Sequence, residues 1–214
     1  MKAFAISLLV AGALPATAAR RLVDEVVAVV DAHSITLSEL SAETRVRLVE
    51  EQGPAAGFLP LDRRLLAASL RRTIEERVVI AEVERLKLFD LDRVEVESLL
   101  AGFRARFAGE AAFAAFLRTV ELTDEEVAQI LARELRVARY LDNRLKLAAQ
   151  LRDGELGDAS KMTAGEREAL RQKLSQEKYQ KLLSDLLQDL RKRATVRVLD
   201  PLDQEPGVTV GKGG

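Results

Sequence analysis

Two adjacent carboxylate pairs, Glu75-Glu76 and Glu125-Glu126, and one histidine, His33, are the most conspicuous candidates for proton transfer in this sequence. A glycosidase-type acid and base need two carboxyl groups facing one another across a cleft. Neighbours in a helix point about 100° apart, and Glu125-Glu126 falls at a helix start, where acid complements the positive end of the dipole. Neither pair is read as catalytic. His33 stands alone in a tight turn, where a pH-sensing role is open to it but an incidental turn position is the simpler reading. With no Cys and a single His, thiol nucleophiles, disulfides, zinc clusters and histidine metal triads cannot be built from this chain alone. No phosphate-binding loop and no nucleophile elbow occurs. The sequence therefore points to a non-enzyme with no metal and no cofactor.

What remains is contact chemistry. Aromatic residues make up only 4% of the chain, yet Phe103, Phe107, Phe113 and Phe116 crowd into one short window. Two roles fit them: lining a groove, or forming the local core of two small helices, and ordinary packing favours the second. Phe58 and Leu59, in a loop before Pro60, are better placed for an exposed apolar contact. Arg133, Arg136, Arg139, Arg144 and Lys146 make one helix locally basic, which suits acidic partners or lipid headgroups but more simply a solvated face.

The chain has 214 residues, 48% hydrophobic and 31% charged. That composition belongs to a folded protein with a real core, not to a disordered one. Its 33 basic and 34 acidic residues give a net charge of -1, which argues against a nucleic-acid binder, since such domains carry a basic excess.

Residues 1–19, MKAFAISLLVAGALPATAA, have one cation, an apolar run, Pro15 and then small residues. They read as a secretory signal peptide cleaved after Ala18 (small residues Ala16 and Ala18) or after Ala19. A membrane anchor is the alternative, but the apolar run of about 12 residues is short of the ~20 a spanning helix needs. The mature protein is expected to be exported, with no stable membrane span.

The rest of the sequence must position those contacts. Glu25–Val30 and Ile35–Leu37 read as a hairpin, which is marginal without a third strand or a covering helix. The other clear strand signal is Ala194–Leu199, so the two ends are predicted to pair. Between them the pattern is helical. A capping box at Thr36/Glu39 opens a helix to about Gln52. Residues 53–60 read as a loop, followed by a helix from about Asp62 to Leu88, some 40 Å long, with Leu66, Leu70, Ile74, Val78, Ala81 and Val83 on its apolar stripe. Asp92/Glu95 caps a helix to Phe107, Gly109 breaks it, and a short helix carries Phe113 and Phe116. Thr123/Glu126 caps a helix to about Leu151 with Val127, Ile130, Leu131, Leu135, Ala138, Leu141 and Leu145 inward. Residues 152–164 form a linker. A last helix to about Arg193 carries Leu170, Leu174, Tyr179, Leu182, Leu183, Leu186, Leu187 and Leu190 on a stripe too wide for a two-stranded coiled coil.

The segments EVVAVVDAHSITLSEL, LLAASLRRTIEERVVIAEVERLKLF, DLDRVEVESLL and EEVAQILARELRVARYL, within residues 23–151, resemble the N-terminal chaperone domain of the SurA-type periplasmic chaperones, a family related in this region to trigger factor and PrsA. KYQKLLSDLLQDLRKRATVRVLDP, residues 178–201, resembles the returning segment that completes that module. The resemblance implies a mostly α module with a small sheet made by the N-terminal hairpin and a C-terminal strand. Its organisation would be residues 20–151 as the helical chaperone domain, 152–164 as the linker, 165–200 as the returning helix and strand, and 201–214 as a tail. In that family one or two parvulin isomerase domains separate the two parts. A domain of that kind needs on the order of 100 residues, and the linker has room for none.

The resemblance implies an ATP-independent chaperone for unfolded envelope or outer-membrane proteins, without isomerase activity; a separate isomerase or assembly machinery is a further candidate partner. The alternative is an adaptor for one folded partner of an envelope or secretion machine. Candidate peptide-binding residues are Phe58, Leu59, Phe103, Phe107, Phe113 and Phe116.

Overall fold

The structure, a computed structural model, describes residues 24–151, 153–156 and 162–202. The expected signal peptide with Ala16, Ala18 and Ala19, the tail beyond residue 202 and part of the 152–164 linker lie outside the described residues.

β-Branched residues make Val26–Val30 an extended strand, β1, and a tight turn with Asp31 at φ 53° returns the chain as His33–Thr36, β2. β3, Val196–Val198, lies antiparallel on the free side of β1, giving the order β2-β1-β3 with Ala28 opposite Val198 and Val30 opposite Val196. The N-terminal hairpin and the C-terminal strand pair, as the β-branched run at one and the alternation at the other predict.

Among the described residues, six helices lie between and against these strands: α1 Leu37–Gln52, α2 Arg63–Arg85, α3 Arg93–Arg104, α4 Glu110–Val120, α5 Asp124–Leu145 and α6 Ala164–Arg193. The architecture is mostly α with one small antiparallel sheet. Their starts follow capping chemistry. Asp92/Glu95 and Thr123/Glu126 form closed capping boxes, and Thr163/Glu166 forms a third that the sequence reading passed over. Thr36 caps α1 by accepting from the Glu39 amide, but the Glu39 carboxylate goes to Arg77 instead of closing a box. A charged partner within reach outcompetes a backbone amide.

Several boundaries differ from the sequence reading. α2 ends at Arg85, not Leu88, and is about 34 Å long. α5 ends at Leu145, and on it Val137 and Tyr140 are buried while Ala138 is exposed, so the stripe turns part-way along. The loop at 53–60 contains a 3₁₀ turn, Pro54–Phe58.

The core is in two parts. The first gathers Val27, Val30 and Ile35 from the sheet, Leu70, Ile74 and Val83 from α2, Val137 and Tyr140 from α5, and Leu190 from α6. The second gathers Val46 and Val49 from α1, the phenylalanines of α3 and α4, and Val127, Ile130 and Leu131 from α5. α1 and α5 run through both. Near the junction of the two clusters each of these helices carries buried or half-buried charges: Glu43 and Arg47 on α1, Arg133 and Glu134 on α5.

Candidate binding surface

Phe103, Phe107, Phe113 and Phe116 are brought together, but inward. Their rings stack edge-on or tilted at 5.2–6.3 Å and all four are buried. Of the two roles open to them, they take the packing one. Phe58 and Leu59 stand apart, 44% and 53% exposed. Phe58 packs nearly perpendicular to Phe116, with ring centroids 5.9 Å apart, so part of the ring seals the second core while the rest meets solvent.

The 3₁₀ turn that presents this pair is tightly held. Arg45 donates to the carbonyls of Gly57 and Leu59 at 2.7 and 3.0 Å. A Cβ at Gly57 would come 2.6 Å from Val49 Cγ2 and 2.8 Å from the Phe116 ring, so only glycine lets the turn approach the core this closely.

The larger apolar surface belongs to α6. Leu190 is buried, but Leu170, Leu174, Tyr179, Leu182, Leu183, Leu186 and Leu187 are half-buried. The stripe is too wide for the neighbours it has, and it leaves open ground on both sides. One groove, about 380 Å³, runs between α2 and α6 past Ile74, Val78, Leu183 and Leu187. A second, about 370 Å³, lies between α2, α5 and α6, walled by Val79, Val137, Leu141, Leu183 and Leu187. α6 is tethered at its middle by Lys178, which donates to the Gln150 carbonyl and the Glu155 carboxylate at 2.9 Å.

A layer of ion pairs lies between the two cores. Arg77, itself buried, donates to Glu39 and Glu43 at 2.5 and 2.6 Å, and Arg133 also pairs with Glu43. Arg47 donates to Glu76 at 2.8 Å and stands 3.5 Å from Glu134. Burial, with Glu50 and Glu76 as negative neighbours, pushes the Glu134 carboxyl up to about 8 despite Arg47. Burial lowers the Arg133 guanidinium, with Glu43 opposing that shift. Most of the basic face of α5 is thus paired rather than merely solvated: Arg136 stands 3.6 Å from Glu84, and Arg139 donates to Glu95 at 2.7 Å. Glu76 is a structural partner of Arg47 and Arg72.

Sequence reasoning missed this layer, although its positions carry a signal. Glu43 and Arg47 follow Leu40 at i+3 and i+7 on α1, Arg77 follows Leu70 and Ile74 on α2, and Glu134 follows Ile130 and Leu131 on α5. Charges at stripe positions must be buried with partners.

Among the described residues, no helix is long and apolar enough to cross a membrane, and no group of His, Asp and Glu is arranged to hold a metal ion. No family model matches the chain, and no curated protein matches its sequence.

Proposed function

We propose that this protein is an exported, ATP-independent chaperone that holds unfolded envelope or outer-membrane proteins and performs no covalent chemistry. One observation carries the reading: the half-exposed leucine row of α6, flanked by two open apolar-walled grooves. Such a surface suits extended, partly apolar segments with little sequence preference. Export rests on residues 1–19, and the resemblance to the SurA-type module supports the same reading.

Capture would be driven by apolar burial at about 25 cal/mol per Å². Ordering of the client opposes it, so micromolar affinity is expected. Leu183 and Leu187 are the main contacts, and Phe58 with Leu59 forms a smaller second one.

The experiment is suppression of aggregation of a denatured β-barrel protein at stoichiometric ratio. L183S/L187S should lose most of the effect, and F58S/L59S less. Absence of both suppression and binding to unfolded peptides overturns the reading. A pull-down dominated by one native protein supports the adaptor alternative instead. No catalysis is expected in a proline-limited peptide assay.

A further inference from the structure

The groove between α2, α5 and α6 joins apolar walls to a surplus of negative charge. Glu75, Glu76 and Glu134, against the single cation Arg72, line it beside Val79, Leu183 and Leu187. Glu76 is held by Arg47 and Arg72, and Arg72 is also engaged by Glu51. Glu134 has Arg47 at 3.5 Å, and its Oε1 makes no hydrogen bond among the described residues. Glu75 is exposed and has no ion pair or hydrogen bond among them. Glu50 adds a further carboxyl beside Glu134. Two guanidinium groups, those of Arg47 and Arg72, thus stand among five carboxyl groups, of Glu50, Glu51, Glu75, Glu76 and Glu134.

We infer that this groove takes an apolar client segment that carries a lysine or arginine, with the apolar part against Leu183 and Leu187 and the cation against Glu75 and Glu134. The inference rests on the chaperone reading and adds a client preference to it. A long basic side chain fits both halves of the surface, because its methylene stem lies on apolar walls while its head reaches the carboxylates. A carboxylate in the same place meets like charge and is disfavoured.

The preference is pH-dependent. The groups facing Glu134 are Arg47 and Glu50 from α1 and Arg72 and Glu76 from α2, while α6 presents Leu183 and Leu187. Ionisation of Glu134 adds a negative charge that Arg47 does not fully offset. The lysine stays charged throughout, so its advantage grows between about pH 7 and about pH 9.

The experiment compares three labelled apolar peptides, identical except for Lys, Gln or Glu at the central position, by fluorescence anisotropy. The Lys peptide is expected to bind about fivefold tighter than the Gln peptide, and the Glu peptide weakest. In E75Q/E134Q the Lys advantage should vanish while the affinity for the Gln peptide is kept. E75Q, at an exposed position, carries the comparison alone if E134Q melts early. Equal affinity for Lys and Gln peptides, with aggregation suppression intact, overturns this inference and leaves the chaperone reading standing. Absence of both peptide binding and suppression overturns the two together.

Discussion

Asp31 and Thr195 exchange two hydrogen bonds. The Asp31 amide donates to the Thr195 carbonyl at 2.8 Å, and the Thr195 amide donates to Asp31 Oδ1 at 2.8 Å. The hairpin turn and the entry to β3 are therefore clasped by backbone and side chain at once. Asp31 also holds φ 53°, a conformation that Asp and Asn tolerate better than most residues. Asp31→Ala is expected to cost about 1–2 kcal/mol. Asp31→Asn, which keeps an acceptor and the turn conformation, should cost much less. Urea unfolding of both variants checks this, and equal losses would count against the clasp.

Gly57→Ala should destabilise by about 1–3 kcal/mol, because the added methyl has nowhere to go between Val49 and the Phe116 ring. Gly102, with open space around its Cβ position, serves as the control: Gly102→Ala in α3 should stabilise by up to about 1 kcal/mol. Thermal melts of the two variants should move in opposite directions.

Glu43 is the acceptor shared by Arg77 and Arg133. Glu43→Ala strips both of it inside a layer with little access to water, and a loss of about 3–5 kcal/mol is expected. Arg93→Ala, which breaks the exposed Arg93–Glu97 pair, should change stability by less than about 0.5 kcal/mol. Chemical denaturation of the two variants distinguishes a buried network from surface decoration.

Glu134 makes stability fall as the solution becomes alkaline. Its carboxyl ionises near 4.5 in the unfolded chain and about 8 in the folded one. Between those values the folded state holds a proton that the unfolded state has released, so stability declines across that window and levels off above it. Glu134→Gln should flatten the decline and be more stable than the parent at about pH 9, by an amount on the order of a few kcal/mol. Glu82 has the opposite sign: Arg85, then Arg193, hold its carboxyl below the usual range. That contribution is present above about pH 4.5 and is lost as pH falls. Unfolding midpoints across the pH range test both signs.

The pairing of the N-terminal hairpin with the C-terminal strand was legible because Val26–Val30 is a β-branched run and Val196–Val198 alternates, both in a strongly helical background. Helix starts were legible where Asp92 and Thr123 sit three residues before a glutamate. The end of α2 was not, since Leu86 and Leu88 continue an apolar pattern after the helix has stopped. The phenylalanine window was visible, but whether its rings face in or out depends on how α3, α4 and α1 meet. The ion-pair layer stayed hidden because a charged residue on one helix gives no hint of its partner on another. The leucine row of α6 was visible, whereas its exposure depends on how few neighbours it meets.

The sheet also sets an order of events in time. Val30 and Val196, direct partners across strands, are separated by α1 through α6, so closing that loop costs on the order of 4–5 kcal/mol in chain entropy. Until β3 and the end of α6 are in place, the hairpin lacks its third strand and the apolar side of α2 lacks Leu190. The molecule thus completes its sheet late, and a polypeptide stopped short of β3 would leave one edge of β1 and part of the apolar side of α2 uncovered.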